Sequence, residues 1–258
     1  MTTVRNPYPA AEGRPLVLGH RGASAEAPEN TMAAFRLALD QGADGFELDV
    51  WRCGSGEVVV AHDEDALRVA GSPLRPPADP WARLRALDVG VWRGERFRGE
   101  RIPRLEEVLQ AFPAAVVNVE MKATGRPDLA LAREVGRIVR EARAGERVVV
   151  SSFSPRLLAA FGRRDPEVAR GWLVAPGRAW RLRAALGARW VRAHALHPGR
   201  SLVTPERAAA WRAAGLRLAV WTVDDPAEVE RLARLGATAV ISNRPGLARE
   251  AVRRATGR

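Results

Sequence analysis

Four short segments carry side chains able to move protons, hold a cation and grip an anion. In Gly19-His20-Arg21-Gly22, a histidine that exchanges a proton near neutral pH stands beside a guanidinium whose planar fork suits phosphate oxygens. The flanking glycines let an anion approach the backbone. The plainer alternative is a turn with a surface His and Arg. In Phe46-Glu47-Leu48-Asp49-Val50, strand periodicity places Glu47 and Asp49 on one face. Two neighbouring carboxylates in a confined mouth repel each other and lose hydration, so a cation is their natural partner. All-oxygen ligands suit one divalent cation, Mg²⁺ or Ca²⁺ with Mn²⁺ also accommodated, rather than a structural zinc. The competing reading is a salt-bridge layer with arginines such as Arg52.

His62-Asp63 supplies a second histidine, read either as a partner to the first or as a strand-end His capped by its own Asp. In Asn118-Val119-Glu120-Met121-Lys122, alternate residues share a face, and Glu120 offers a third carboxylate. Lys122 is the only lysine in the chain. Its place in register with a carboxylate argues that a compact ammonium is required there, against the alternative of chance. Trp221, in Val220-Trp221-Thr222-Val223, reads equally as a substrate wall or as core packing. Ser151 and Ser152 are either ligand contacts or caps. His194 and His197 read as surface or rim residues. Cys53 has no adjacent base and is not read as a nucleophile. No Gly-x-Ser-x-Gly elbow is present.

These residues need elements that hold them at one end of a sheet. Short apolar runs alternate with amphipathic stretches, the signature of a parallel sheet. Expected strands are Leu16–His20, Asp44–Trp51, Ala115–Met121, Arg147–Ser152, Ala169–Val174, Trp190–His194, Arg217–Val223 and Thr238–Ser242. Expected helices are Asn30–Gln41, Leu105–Phe112, Pro127–Ala144, Pro155–Arg163, Ala179–Leu186, Pro205–Ala214, Pro226–Leu235 and Pro245–Arg254. Ser154-Pro155, Thr204-Pro205 and Asp225-Pro226 are helix starts, and several helices stop at glycine. Eight such pairs predict an α/β fold, a closed (β/α)8 TIM barrel, whose catalytic groups sit at the C-terminal ends of the strands. The lack of Gly-x-Gly-x-x-Gly after the first strand argues against a dinucleotide fold.

Glu57–Ala61 is a ninth apolar run, too close to the second strand for a parallel crossover. It is expected to return as an antiparallel hairpin turning near Gly54–Gly56, with Asp49 roughly opposite His62. The segment 64–103 is then a long insertion, rich in Pro and Trp, with one short helix at Pro80–Leu87. A loop of that length is usually functional, here a lid or substrate wall. Residues 1–14 read as an N-terminal tail and 15–258 as one barrel domain.

Bulk properties narrow the classes. A chain of 258 residues with 47% hydrophobic content has ample core for one barrel. No apolar run is long enough for a membrane span, no signal peptide is evident, and one cysteine excludes an intrachain disulfide. The expected location is the cytoplasm. The net charge of +11 is arginine spread along the chain rather than a stripe, so no nucleic-acid partner is expected. The expected form is a monomer or homodimer.

The ordered set His20-Arg21-Gly22, Pro28-Glu29-Asn30-Thr31, Glu47-x-Asp49-Val50, His62-Asp63, Ile102-Pro103-x-Leu105-x-Glu107, Glu120-x-Lys122, Ser151-Ser152-Phe153 and Val220-Trp221-Thr222-Val223 resembles the glycerophosphodiester phosphodiesterase family, from about Leu16 to Pro245. The resemblance implies a TIM barrel that cuts small-molecule glycerophosphodiesters to glycerol 3-phosphate and an alcohol. It implies His20 and His62 as the acid–base pair and Glu47, Asp49 and Glu120 around one divalent cation. Arg21 and Lys122 would neutralise the phosphate, and Trp221 would wall the substrate. A cyclic phosphate intermediate opened by water is also implied. Asn243 stands where the family commonly has Asp, and Cys53 and Ser55 replace a usual Thr and Asp. These departures read as touching lid and barrel closure, not the ligands. Two alternatives stand beside this reading: a related barrel phosphodiesterase acting on lysophospholipids or sphingomyelin-like lipids, and a non-catalytic binder of phosphorylated ligands or nucleic acid.

Overall fold

A computed structural model describes residues 4–9, 13–177 and 187–257 of the chain. Nine strands are present among them: β1 Leu16–His20, β2 Gly45–Arg52, β3 Val58–Val60, β4 Val116–Met121, β5 Val148–Ser152, β6 Ala169–Val174, β7 Ala195–Pro198, β8 Arg217–Val220 and β9 Ala239–Ser242. All but β3 are joined in parallel in the order β1-β2-β4-β5-β6-β7-β8-β9, and β9 pairs back onto β1. The sheet therefore closes as the expected eight-stranded barrel.

Strand periodicity splits the core into two layers. Outward residues such as Phe46, Leu48, Val50, Val117, Val119 and Met121 pack against the surrounding helices. Inside lie Leu18, Val149, Ile241 and four alanines, Ala169, Ala195, Ala219 and Ala239. Those small residues leave room for the ring of Tyr8, which is buried among them. Arg5 pairs with Val168 and the Asn6 amide donates to the His194 carbonyl at 3.4 Å, both at the N-terminal ends of strands. Residues 4–9 thus run across the barrel floor.

The helix starts follow the sequence signals. Ser154, Thr204 and Asp225 each accept from a backbone N–H of the helix that their following proline opens. The expected helix at Ala179–Leu186 lies outside the described residues.

Three expectations need correction. The sixth barrel strand is Ala195–Pro198, not Trp190–His194; Ala188–Trp190 is a helical turn with Trp190 exposed. A short apolar run reads alike as strand or buried helix, and here pairing decides, with Gly171 opposite Ala195 and Leu173 opposite His197. In consequence His197 is not at the surface or rim. It is fully buried, its ring 5.7 Å from Tyr8 and packed where a side chain at Gly171 would stand. Burial lowers its pKa to about 3, so it is neutral. His194 is part-buried, and its Nδ1 accepts from the Arg170 N–H at 3.1 Å.

The hairpin forms, but one residue out of the expected register. Val50 pairs with Val60 and the Ala61 N–H donates to the Asp49 carbonyl at 3.0 Å, so Asp49 faces Ala61 rather than His62. The turn is closed by Cys53 N–H to Glu57 O at 2.8 Å, which sets that register. The insertion packs on the hairpin: Trp51, Cys53 and Val59 meet Trp81, Leu84, Val89 and Ile102 in a separate small core. It is also strapped to the loop after β1. Arg93 donates to the carbonyls of Ser24 and Ala25, and Arg96 to that of Glu26.

Candidate active site

Barrel register gathers the predicted carboxylates. His20 lies opposite Glu47, Glu47 opposite Asn118, and Asp49 opposite Glu120, all near the C-terminal ends of β1, β2 and β4. Glu47, Asp49 and Glu120 are buried, and each places an oxygen within 4.8 Å of the others. Burial first, then repulsion from Asp49 and Glu120, pushes Glu47 well above the usual carboxylate range. Burial and Asp49 raise Glu120 to about 7 despite the adjacent Lys122. Asp49 is also buried, but Lys122, Arg21 and His62, with the amide of Asn30, hold it below its ordinary value.

Arg52 is not the partner of this cluster; it pairs with Asp128 at 2.7 Å. Lys122 and Arg21 are. The Lys122 ammonium sits 3.0 Å from Glu120 and 3.2 Å from Asp49, and the Arg21 Nε 3.3 Å from Asp49. Two cations do not keep all three carboxylates ionised: Glu47 and Glu120 hold on to protons, which a further cation would displace. Three convergent hard oxygens, two of them held protonated by mutual repulsion and burial, fit a divalent cation.

The loop after β1 is tightly built. Arg21 adopts a positive φ of 55°, and its N–H donates to Glu47 at 3.0 Å. Gly22 (φ 83°) lies so close to the Met32–Asp40 helix that a Cβ would come within 2.6 Å of the Ala34 carbonyl oxygen. Asn30 donates to Asp49 at 3.0 Å.

Each histidine has one nitrogen anchored. His20 Nδ1 is 2.7 Å from Asn243 Oδ1, and the Asn243 amide donates to Asp224 at 2.7 Å. Asn243 Oδ1 can only accept, so the His20 proton sits on Nδ1. Nε2 is left as a lone pair, 4.0 Å from Glu47. Burial, then the Arg21 charge, lowers the His20 pKa, which keeps the ring neutral. Asn243, read from sequence as barrel closure, thus touches the histidine directly. His62 Nδ1 is 2.7 Å from Asp63 Oδ1, and the Trp51 indole donates to the His62 carbonyl at 3.3 Å.

Trp221 is half-buried on the rim. Its indole donates to the His197 carbonyl at 2.8 Å and its ring meets Phe153 edge-on at 5.7 Å. With Pro176, Arg200 and Asp224 it lines an open cavity of about 720 Å³. Ser152 is a buried cap, donating to the Met121 carbonyl at 2.7 Å and accepting from Ser154 N–H. Three residues without a role in the sequence reading bond to these groups: Glu29 to Arg21, Arg68 to Glu29 and Asp63, and Asp224 to Asn243. Only Glu29 carried a signal, its place in Pro28-Glu29-Asn30-Thr31.

The chain matches known proteins over most of its length. Residues 20–247 match the sequence model of the glycerophosphoryl diester phosphodiesterase family. The chain is 34% identical over 232 residues to a glycerophosphodiester phosphodiesterase of Caldanaerobacter subterraneus subsp. tengcongensis, covering 89% of this chain and 94% of that protein. It is similar to a phosphodiesterase of Oleispira antarctica solved in complex with the product sn-glycerol-3-phosphate. That match has a TM-score of 0.83 and 28% identity over 92% of this chain and 96% of the other. A shorter stretch, 134 residues, is 37% identical to the human lysophospholipase D GDPD1, covering 48% of this chain and 40% of that protein.

Proposed function

The chain belongs to the glycerophosphoryl diester phosphodiesterase family, and from that premise we propose that it is a metal-dependent phosphoric diester hydrolase. It would convert glycerophosphodiesters to glycerol 3-phosphate and an alcohol. The observation that carries this reading is the buried Glu47–Asp49–Glu120 cluster, whose oxygens lie within 4.8 Å of one another beside two cations and two anchored histidines.

A divalent cation held by the three carboxylates would supply Lewis-acid polarisation of a phosphoryl oxygen and charge for the transition state. Arg21 and Lys122 lie against Asp49 and offer further donors to the phosphate. The two histidines take different roles. His20, with its proton on Nδ1 and a lone pair on Nε2, is the general base that removes a proton from the glycerol hydroxyl attacking phosphorus. His62 has its Nδ1 on the Asp63 carboxylate, which offers the compensating charge for an imidazolium. It is the general acid that protonates the departing alkoxide. The first step closes a five-membered cyclic phosphate and releases the alcohol. In the second, His62 takes a proton from water and His20 returns one to the glycerol oxygen, giving glycerol 3-phosphate. An intramolecular nucleophile gains effective molarity over external water. Trp221 walls the glycerol side of the pocket.

A second reading draws on the insertion, which exposes Leu67 and Trp92. Apolar side chains there suit an acyl chain, and so a lysophospholipid substrate. Assays of glycerophosphocholine and lysophosphatidylcholine with Mg²⁺, Ca²⁺ or Mn²⁺ separate the two. Release of glycerol 3-phosphate that stops with EDTA supports the first reading; no release from either substrate with any of the three cations rejects both.

A further inference from the structure

Arg68, in the insertion, bonds two carboxylates, each of which holds a residue assigned to the reaction. Its Nη1 and Nη2 donate to the two oxygens of Glu29 at 2.7 and 2.8 Å, and its Nε donates to Asp63 Oδ2 at 2.8 Å. Both carboxylates have a second task. Glu29 Oε1 accepts from Arg21 Nη1 at 2.9 Å, and Asp63 Oδ1 is the 2.7 Å partner of His62 Nδ1. The bonds form one unbroken chain, Arg21–Glu29–Arg68–Asp63–His62, from the loop after β1 to the loop after β3.

We propose that Arg68 is a positioning residue for the reaction: its guanidinium ties Glu29 to Asp63 and thereby sets the aim of both Arg21 and His62. This rests on the phosphodiesterase reading above.

The physical case is one of geometry more than of charge. The Arg68 side chain is 44% exposed, and an exposed ion pair contributes little to stability. Glu29 is different, with only 13% of its side chain exposed. Burial would raise its carboxyl, but Arg68 and Arg21 hold it below the ordinary value. Without Arg68, Glu29 keeps one cation. It would recover its lost hydrogen bonds by closing on Arg21 and drawing that guanidinium from Asp49. Asp63 would lose its arginine partner and, with it, the fixed orientation of the His62 ring. The planar fork can serve two carboxylates at once, and the Trp92 ring, 6.0 Å from its central carbon, supports it. A lysine has the charge but not the fork.

The test is steady-state kinetics on glycerophosphocholine with Mg²⁺ for the wild type, Arg68→Ala, Arg68→Lys and Arg75→Ala. Arg75 is a control on the same insertion, paired with Glu64. In Arg68→Ala, kcat is expected to fall about tenfold or more while KM moves less than about threefold, because misaimed groups cost turnover rather than binding. Arg68→Lys is expected to recover only part of the loss, and Arg75→Ala to behave as wild type. In an Asp63→Asn background, Arg68→Ala should cost much less than it does alone, since part of the route to His62 is already cut. An active wild type with kcat unchanged in Arg68→Ala, full activity in Arg68→Lys, or losses that simply multiply would each overturn the proposal. Arg68→Lys keeps the stem and charge, and decides the matter if the alanine variant does not fold. A wild type inactive with every divalent cation would overturn the phosphodiesterase reading and this inference with it.

Discussion

His20 Nδ1 and Asn243 Oδ1 are 2.7 Å apart, and the other end of that amide is committed to Asp224. A β9-end side chain therefore decides which nitrogen of a β1-end histidine faces the carboxylate cluster. Asn243→Ala should lower kcat by about tenfold or more, because the ring loses its fixed tautomer and orientation. Asn243→Asp should do something different. A carboxylate in place of the amide favours the imidazolium, so the base titrates at higher pH. The acidic limb of the kcat/KM profile should move upward relative to wild type; an unmoved limb would remove His20 from the role of base.

The wild-type profile has its own signature. Burial and Arg21 depress the His20 pKa. Since the base must be unprotonated, activity should persist below the ordinary histidine value of about 6.5. Measuring kcat/KM from pH 5 upward, with Mg²⁺ kept saturating at each pH, checks the position of that limb.

His20→Ala and His62→Ala should each reduce turnover by roughly 10²–10⁴-fold with far-UV circular dichroism unchanged. Both rings are reached from strand ends or loops rather than from the outer core, so truncating them leaves the barrel packing in place. A near-normal rate in either variant would remove that residue from the acid–base pair.

Metal affinity should rise with pH. Glu47 is raised and Glu120 sits at about 7, so both must lose protons to act as ligands. Calorimetric titration with Mg²⁺ should show tighter binding at pH 8 than at pH 6, with protons released to buffer. The same shifts set the stability of the metal-free protein. Carboxyls whose folded pKa is raised stabilise the fold below their unfolded value and lose that contribution as pH rises through the folded value. For Glu120 the metal-free melting temperature should thus lose this contribution between about pH 4.5 and 7, and Mg²⁺ should raise it more at pH 8 than at pH 5.5. Glu120→Gln should weaken Mg²⁺ binding and flatten the pH trend in both measurements.

The floor of the barrel offers a stability test separate from catalysis. Tyr8 is buried among interior alanines next to His197. Tyr8→Ala should destabilise the protein by about 3–5 kcal/mol, the usual cost of removing a buried aromatic ring. Urea unfolding monitored by tryptophan fluorescence would measure it.

Much of this protein is legible in one dimension. Alternation of apolar runs with capped helices determines a parallel barrel, because strand and helix periods are local properties. Period two alone aligns Glu47 with Asp49 and Glu120 with Lys122, and the closing register then puts Asp49 opposite Glu120. Other features are set only by folding. The placement of β7, and with it the burial of His197, follows from pairing with β6, since the local run allows either assignment. The one-residue shift of the hairpin is decided by its turn. Tyr8 looks like part of a loose tail until the interior alanines from four strands leave it a place. Asn243 against His20, and Arg68 between Glu29 and Asp63, join residues 223, 39 and 5 positions apart. No periodicity encodes such contacts, because hydrogen-bond geometry between loops exists only once the barrel has closed and brought their strand ends together.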